Sequence, residues 1–508
     1  MTGVALRLAL SALVALALAA TVDVLAQSGE PSGGHPAGGA GAFGAPDRAS
    51  SLADAAHLHA TSRARADFDA MQRFRPAYRF WRHIFTVPDR FIVFGSAVNG
   101  RLLVTFPARG NWTRDAVWED ASLAHLLDGR RLPARLNRRR AEVVRLLEPA
   151  VGPVLANATR GLALLPNARR YGAFLSEWGA IYERFAVPSE IGLAQAIVES
   201  GLNGKVRSEA RAIGFCQWLP RNWKVMKRLA PYVIEGHNQT TQAPYCAAYL
   251  TILATKYGSF IPALSEHHAG GTNVGRVLIN GERVGGIHVR ERYFLGSAFA
   301  RNLRQLSPRR FRDVYGTYGP RSSLYAEMVF GNAANVAHLI ATTPQKKMYA
   351  MRTRRALTPA QIARSTSLSI DEIRRFNPAL VRRVPAGASL YLPEYVSAFG
   401  PDESFWHRPP SEEYSSVLGE FLRLDVPIEE WDGRAFDAVL QNFRKRFEAT
   451  RTEEGTIMAT TLAYVLVTQR TSRQAQILAE FRASDRIFRL FERGRREWDK
   501  FRASDPAP

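Results

Sequence analysis

The chain has 508 residues, 46% hydrophobic and 22% charged, a globular composition that excludes a disordered or fibrous protein and leaves room for about three domains. Its formal net charge is +22, and only eight of its 68 basic residues are Lys. That charge fits affinity for an anionic polymer or a nucleotide-composition bias toward Arg; the two cysteines, Cys216 and Cys246, do not have the spacing of a metal centre.

Leu8 to Val22 is an uncharged apolar run between Arg7 and Asp23, followed by the small residues of Val24-Leu25-Ala26. This layout predicts a secretory signal over 1–26, and export argues against a nucleic-acid partner. The run is short for a membrane span, which needs about 20 residues. An uncleaved anchor, with membrane association, is the alternative. Residues 27–52 are rich in Gly, Ala, Pro and Ser and predict a flexible linker. An exported chain offers the two cysteines the conditions to pair; a buried unpaired thiol at Cys216 is the other reading.

Residues 53–170 predict mostly helix with one hairpin. Arg90-Phe91-Ile92-Val93-Phe94 and Leu102-Leu103-Val104-Thr105-Phe106 flank Asn99-Gly100, a strong turn signal. Residues 171–342 carry the chemistry. A helix is expected to start at Pro188-Ser189-Glu190, with Ser as cap, and to stop at Gly201. Ala194, Ile197 and Val198 form its apolar stripe. Glu199 then falls in the last turn, where the helix dipole disfavours a carboxylate by roughly 0.3–1 kcal/mol. Raising a Glu pKa from about 4.3 to about 6 takes about 2.3 kcal/mol, so a functional acid needs burial as well. A solvated surface Glu is the bland alternative.

Four blocks follow one order: Glu199-Ser200; Ser208 through Pro220, with Gly214, Gln217 and Trp218; Ala247-Ala248-Tyr249-Leu250; and His267-His268-Ala269-Gly270. A closing helix is expected over Pro320 to Val336. This arrangement resembles the lytic transglycosylases, lysozyme-like enzymes that cut bacterial cell-wall glycan, in the branch where LysM modules follow. The resemblance implies a mainly α fold with a lysozyme-like catalytic domain, Glu199 as the catalytic carboxylate, and Ser208 and Gln217 lining a sugar cleft. It implies no cofactor. Peptidoglycan strands are the partner it implies, and a periplasmic or wall-associated location follows; protein partners are unknown from sequence. Read by their chemistry, Gly214 permits close backbone approach to a sugar and Gln217 offers both donor and acceptor. Trp218 and Trp223 are expected either to stack on sugars or to be buried.

The family usually carries Tyr-Asn where this chain has His267-His268. The Tyr commonly bonds the catalytic acid, a contact His267 is expected to replace; protonated, it lowers the Glu199 pKa. Adjacent helical His side chains point about 100° apart, so a shared metal is not expected. With one carboxylate in the motif, the resemblance implies non-hydrolytic cleavage to a 1,6-anhydro sugar, whereas hydrolysis ordinarily needs two. Glu266 is the candidate second carboxylate for a hydrolytic muramidase. A non-catalytic wall-binding or assembly scaffold is the further alternative.

Residues 346–395 resemble a LysM module, a βααβ glycan binder, through Tyr349-Ala350-Met351, Leu368-Ser369-Ile370-Asp371-Glu372-Ile373, Phe376-Asn377-Pro378 and Leu390-Tyr391-Leu392-Pro393. Arg354-Arg355-Ala356-Leu357 stands where the family has Gly-Asp. Residues 396–508 predict a helical extension, with Phe436, Val439, Leu440, Phe443 and Phe447 on one face and Ala459 to Val467 as a buried helix. The last stretch, Arg482 to Arg502, reads as a packed cap or a partner-binding tail.

Overall fold

The computed structural model of the protein describes residues 48–230, 236–424 and 433–504. The predicted signal over 1–26 and residues 27–47 of the predicted linker lie outside the described residues. The described chain is mainly helical, with two small antiparallel sheets. Among the described residues no helix is long and apolar enough to cross a membrane.

Helix α1 (Arg48–Phe74) begins inside the predicted linker, because Ala53, Ala55, Ala56 and Ala60 make this stretch a strong helix former. Ala56, Ala60 and Ala64 recur every fourth residue and are buried. A 3₁₀ segment, Pro76–Ile84, leads to the predicted hairpin of β1 (Phe91–Ser96) and β2 (Leu102–Pro107). Gly100 takes φ +76° at its turn. The hairpin belongs to a larger sheet than expected, in the order β3-β2-β1-β4, with β3 at Val117–Trp118 and β4 at Val154–Ala158. β3 is too short to show alternation, and β4, Val-Leu-Ala-Asn-Ala, is half-buried at every position rather than alternating. Helix α2 (Leu136–Val151) covers the sheet, and Phe94, Phe106, Trp112, Val143 and Leu147 form a core of their own.

Ten helices follow: α3 (Gly161–Tyr171), α4 (Leu175–Arg184), α5 (Ser189–Ser200), α6 (Pro220–Leu229), α7 (Gln239–Tyr257), α8 (Phe260–Ala269), α9 (Gly271–Arg283), α10 (Val289–Leu306), α11 (Pro308–Tyr315) and α12 (Tyr325–Thr342). Every residue of α7 is buried, which makes it the central helix. It packs on α4 and α8, while α5 packs against α4 and α12. Asp67 on α1 holds the start of α8: it accepts from the Ser259 hydroxyl at 2.6 Å, the Phe260 N–H at 2.7 Å and Arg290 at 2.5 Å.

Residues 349–392 form a β-α-α-β unit: β5 (Tyr349–Arg352), α13 (Pro359–Arg364), α14 (Ile370–Phe376) and β6 (Ser389–Leu392), with β5 antiparallel to β6. Capping boxes open both helices, Thr358 with Gln361 and Ser369 with Glu372. Met351, Leu357, Ile362, Ile373 and Leu390 fill its core. The unit is docked rather than tethered. The Asn238 amide donates to the Phe376 carbonyl, Thr241 to the Tyr391 hydroxyl at 3.1 Å, and the Phe376 ring meets Phe174 edge-on at 5.2 Å.

The C-terminal helices are α15 (Glu412–Leu422), α16 (Gly433–Ala449), α17 (Glu453–Gln469), α18 (Thr471–Ala483) and α19 (Asp485–Ser504). They share one hydrophobic core with α1 and residues 171–342. Phe436, Leu440, Phe443 and Phe447 are buried and Val439 is half-buried; of the expected buried run Ala459 to Val467, Thr460 and Leu466 are half-buried and Val467 is exposed, because the end of the helix leaves the core. Helix α17 lies on α6 and α7, α18 on α9, and α19 on α10 and α11. The last helix is a packed cap: Phe491 is fully buried and its ring sits 5.0 Å from Phe299.

Candidate active site around Glu199

Helix α5 has the expected limits. Its start differs in one respect: Ser189 lies inside the helix, and Pro188 at the capping position makes no side-chain cap bond. At its end Gly201 takes φ +58°, and its N–H bonds back to the Ile197 carbonyl at 2.9 Å, a left-handed (αL) closure. A Cβ on Gly201 would lie 1.8 Å from the Ala163 carbonyl oxygen, so both backbone angle and space require glycine.

This closure leaves the Glu199 side chain 12% exposed and facing two other elements. The Tyr325 hydroxyl, from the first residue of α12, donates to Glu199 Oε1 at 2.5 Å. His267 Nδ1, from the last turn of α8, stands 3.4 Å from the same oxygen. His268 stacks flat on Tyr325, with ring centroids 4.8 Å apart and planes 6° apart. Among the described residues no hydrogen bond reaches Oε2. One carboxylate oxygen is thus anchored and the other is unbonded among the described residues.

His267 stands beside the acid as expected, but the short bond to it comes from Tyr325 of the closing helix. Sequence reasoning placed that helix and missed the residue, because the partners are 126 positions apart. A tyrosine at a helix start opposite a functional acid was the available signal.

The electrostatics depart from an acid with a raised pKa. Burial pushes the Glu199 carboxyl up. The hydrogen bond and charge of His267, the charge of His268 and the Tyr325 hydroxyl together outweigh it, and the carboxyl sits below its ordinary value. Burial, then the charge of Glu199, holds the Tyr325 phenol well above its usual range, so it stays a donor. Burial also pulls His268 down, against the attraction of Glu199.

His267 carries the largest lowering influence on Glu199, which sets an expected result. In His267→Phe, burial acts on the carboxyl with less opposition, and its pKa rises. Nuclear magnetic resonance titration of the Glu199 carboxyl is expected to show that shift to higher pH. An unmoved titration would show that His267 does not tune the carboxyl.

The second block forms a tight loop after α5. Ser208 Oγ accepts from the Ala212 N–H at 3.0 Å, and the Gln217 side chain donates to the Gly214 carbonyl at 3.1 Å. Ser208 and Gln217 are thus held by their own loop, both partly exposed. Gly201, Leu202, Arg211, Gly214 and Gln217 all have positive φ, and strain of that kind concentrates at functional sites. The packing of the loop itself requires glycine at Gly214: a Cβ there would lie 2.1 Å from Gln242 Oε1, which accepts the Phe215 N–H at 2.6 Å. A disulfide joins Cys216 to Cys246 of α7 and ties the loop to the central helix.

Trp218 is buried. It stacks on Tyr464 of α17, with centroids 5.2 Å apart and planes 12° apart, and it also touches Trp223 and Tyr249. Tyr249 in turn meets His267 at 5.8 Å, so an aromatic chain runs from α17 to the histidine beside Glu199. The Trp218 face is filled by protein.

Glu266 does not serve this site. Its side chain is fully buried, held by Lys256 at 2.6 and 2.8 Å and by the Tyr257 hydroxyl. The candidate second base for hydrolysis is locked in the core instead.

No family model and no curated protein matches the chain.

Proposed function

We propose that the protein is a peptidoglycan lytic transglycosylase. It cleaves the β-1,4 bond between N-acetylmuramic acid and N-acetylglucosamine and leaves a 1,6-anhydro end. The reading assigns residues 171–342 to a lysozyme-like catalytic domain and the β-α-α-β unit to a LysM-like glycan binder. It also makes the protein exported and wall-associated. One observation carries it: a single carboxylate at a helix C-terminus, anchored through Oε1 by Tyr325 and His267, with Oε2 unbonded among the described residues.

In this mechanism the protonated form of Glu199, a minor fraction at neutral pH because the carboxyl lies below its ordinary value, donates a proton from Oε2 to the glycosidic oxygen, then takes the proton of the muramic acid C6 hydroxyl as that oxygen attacks its own anomeric carbon. Tyr325 keeps the carboxylate oriented through both steps. No water is consumed. An attacking group already held by the substrate ring gains up to about 7–11 kcal/mol over a free one. Water would need a second base, and Glu266 is paired with Lys256. The muropeptides released from sacculi are expected to carry 1,6-anhydromuramic ends. Mass spectrometry distinguishes them from reducing ends, which are heavier by one water. Mostly reducing ends would replace this reading with a muramidase, and no release at all would favour a wall-binding scaffold.

A further inference from the structure

A groove lies at the opposite end of α5 from Glu199, where Ser189 and Glu190 form part of its wall. Nine residues of helical rise separate the two places by roughly 14 Å. The groove has two arms that share Arg79 and Arg82 of the 3₁₀ segment.

One arm, of about 940 Å³, runs along α12 past Phe330, Ala337 and Ile340. The other, of about 460 Å³, opens at the hairpin turn and adds Arg101. Charge separates the arms. In the apolar arm Asp69 and Glu190 balance the two shared arginines. In the hairpin arm three arginines face a single carboxylate, Glu119. Arg101 also lies 3.9 Å from Asp120, both partly exposed. Among the described residues Arg79 and Arg82 form no ion pair; the Arg79 guanidinium lies over its neighbour Tyr78. His83, in the same arm, is pulled down to about 4 by burial and by Arg82, and so adds no charge at neutral pH. The guanidiniums offer planar paired donors suited to phosphate oxygens.

We propose that this groove binds an anionic amphiphile, a phospholipid-type molecule whose phosphate head sits among Arg79, Arg82 and Arg101 and whose hydrocarbon chain lies along α12. A basic pocket that shares Arg79 and Arg82 with an adjoining apolar one fits a ligand with one charged end and one apolar end. Neither inorganic phosphate nor a neutral lipid uses both arms. The site is independent of the Glu199 chemistry.

The test titrates the full-length protein with short-chain phosphatidylglycerol below its micelle concentration. Phosphatidylcholine of equal chain length and glycerol 3-phosphate serve as the comparison arms. Calorimetry is expected to show the anionic lipid binding at least about tenfold more tightly than either, since each tenfold step is about 1.4 kcal/mol. Arg79→Glu with Arg82→Glu is expected to remove that binding, with an unchanged unfolding temperature. Ala337→Trp, which fills the apolar arm, is expected to weaken the lipid and spare glycerol 3-phosphate. Arg493→Glu with Arg496→Glu on α19 is the control for net charge and is expected to leave binding intact. Equal affinity for both lipids, or insensitivity to the Arg79 and Arg82 changes, would overturn the proposal. Glycerol 3-phosphate binding as tightly as the lipid would reduce the groove to a phosphate site and overturn the amphiphile.

Discussion

Glu199→Gln is expected to lower the release of muropeptides from sacculi by about 10²–10⁴-fold while the protein remains folded. Gln keeps the shape of the side chain, and its carbonyl oxygen can still accept from Tyr325. It cannot deliver a proton. The substitution also removes a pH dependence of stability. The folded carboxyl lies below its ordinary value, so it stabilises the fold above the unfolded pKa and loses that contribution as pH falls through the folded one. The mutant is expected to lack that acid-side decline. Lysis near the wild-type rate by a folded mutant would remove Glu199 from the mechanism.

The second large effect is on stability. Lys256 Nζ contacts both oxygens of Glu266 and the Gln474 side-chain oxygen at 3.1 Å, in a site where the Lys and Glu side chains are 2% and 0% exposed. Removing one partner of such a pair leaves an uncompensated buried charge and costs about 3–5 kcal/mol. Lys256→Met is expected to lose that much in urea unfolding. Lys256→Met with Glu266→Leu is expected to recover much of it, because no charge is then left unpaired. A single mutant within about 1 kcal/mol of wild type would show that the pair is not closed from water. Gln474 comes from α18, so the measurement also probes the docking of the C-terminal helices on the 171–342 region.

These two sites differ in how far they could be read from the amino-acid order. Helix α5 was legible because its signals are local: an apolar stripe at helical spacing and a glycine at the stop. The hairpin was legible for the same reason, through Asn99-Gly100. The strands β3 and β4 were not, since β3 is only Val117–Trp118 and β4 exists by pairing with β1, far back in the sequence. The choice between a disulfide and a buried thiol also needed the fold, which brings the Cys216 and Cys246 Cα atoms to 5.7 Å.

By itself the sequence determined where a carboxylate would stand on a helix end, which loop would follow it, and that two histidines would open the fourth block. Local propensity and hydrophobic period act within a few residues, and they suffice for such statements. Only the tertiary structure decided what surrounds that carboxylate. It placed Tyr325 and His267 on Glu199 and so brought the acid below its ordinary pKa, where burial alone would have raised it. It laid Tyr464 over Trp218 and enclosed Glu266 with Lys256. Each of these joins residues from different helices, and the energies involved depend on burial and on distances of a few ångströms. Those quantities do not exist until the helices have packed.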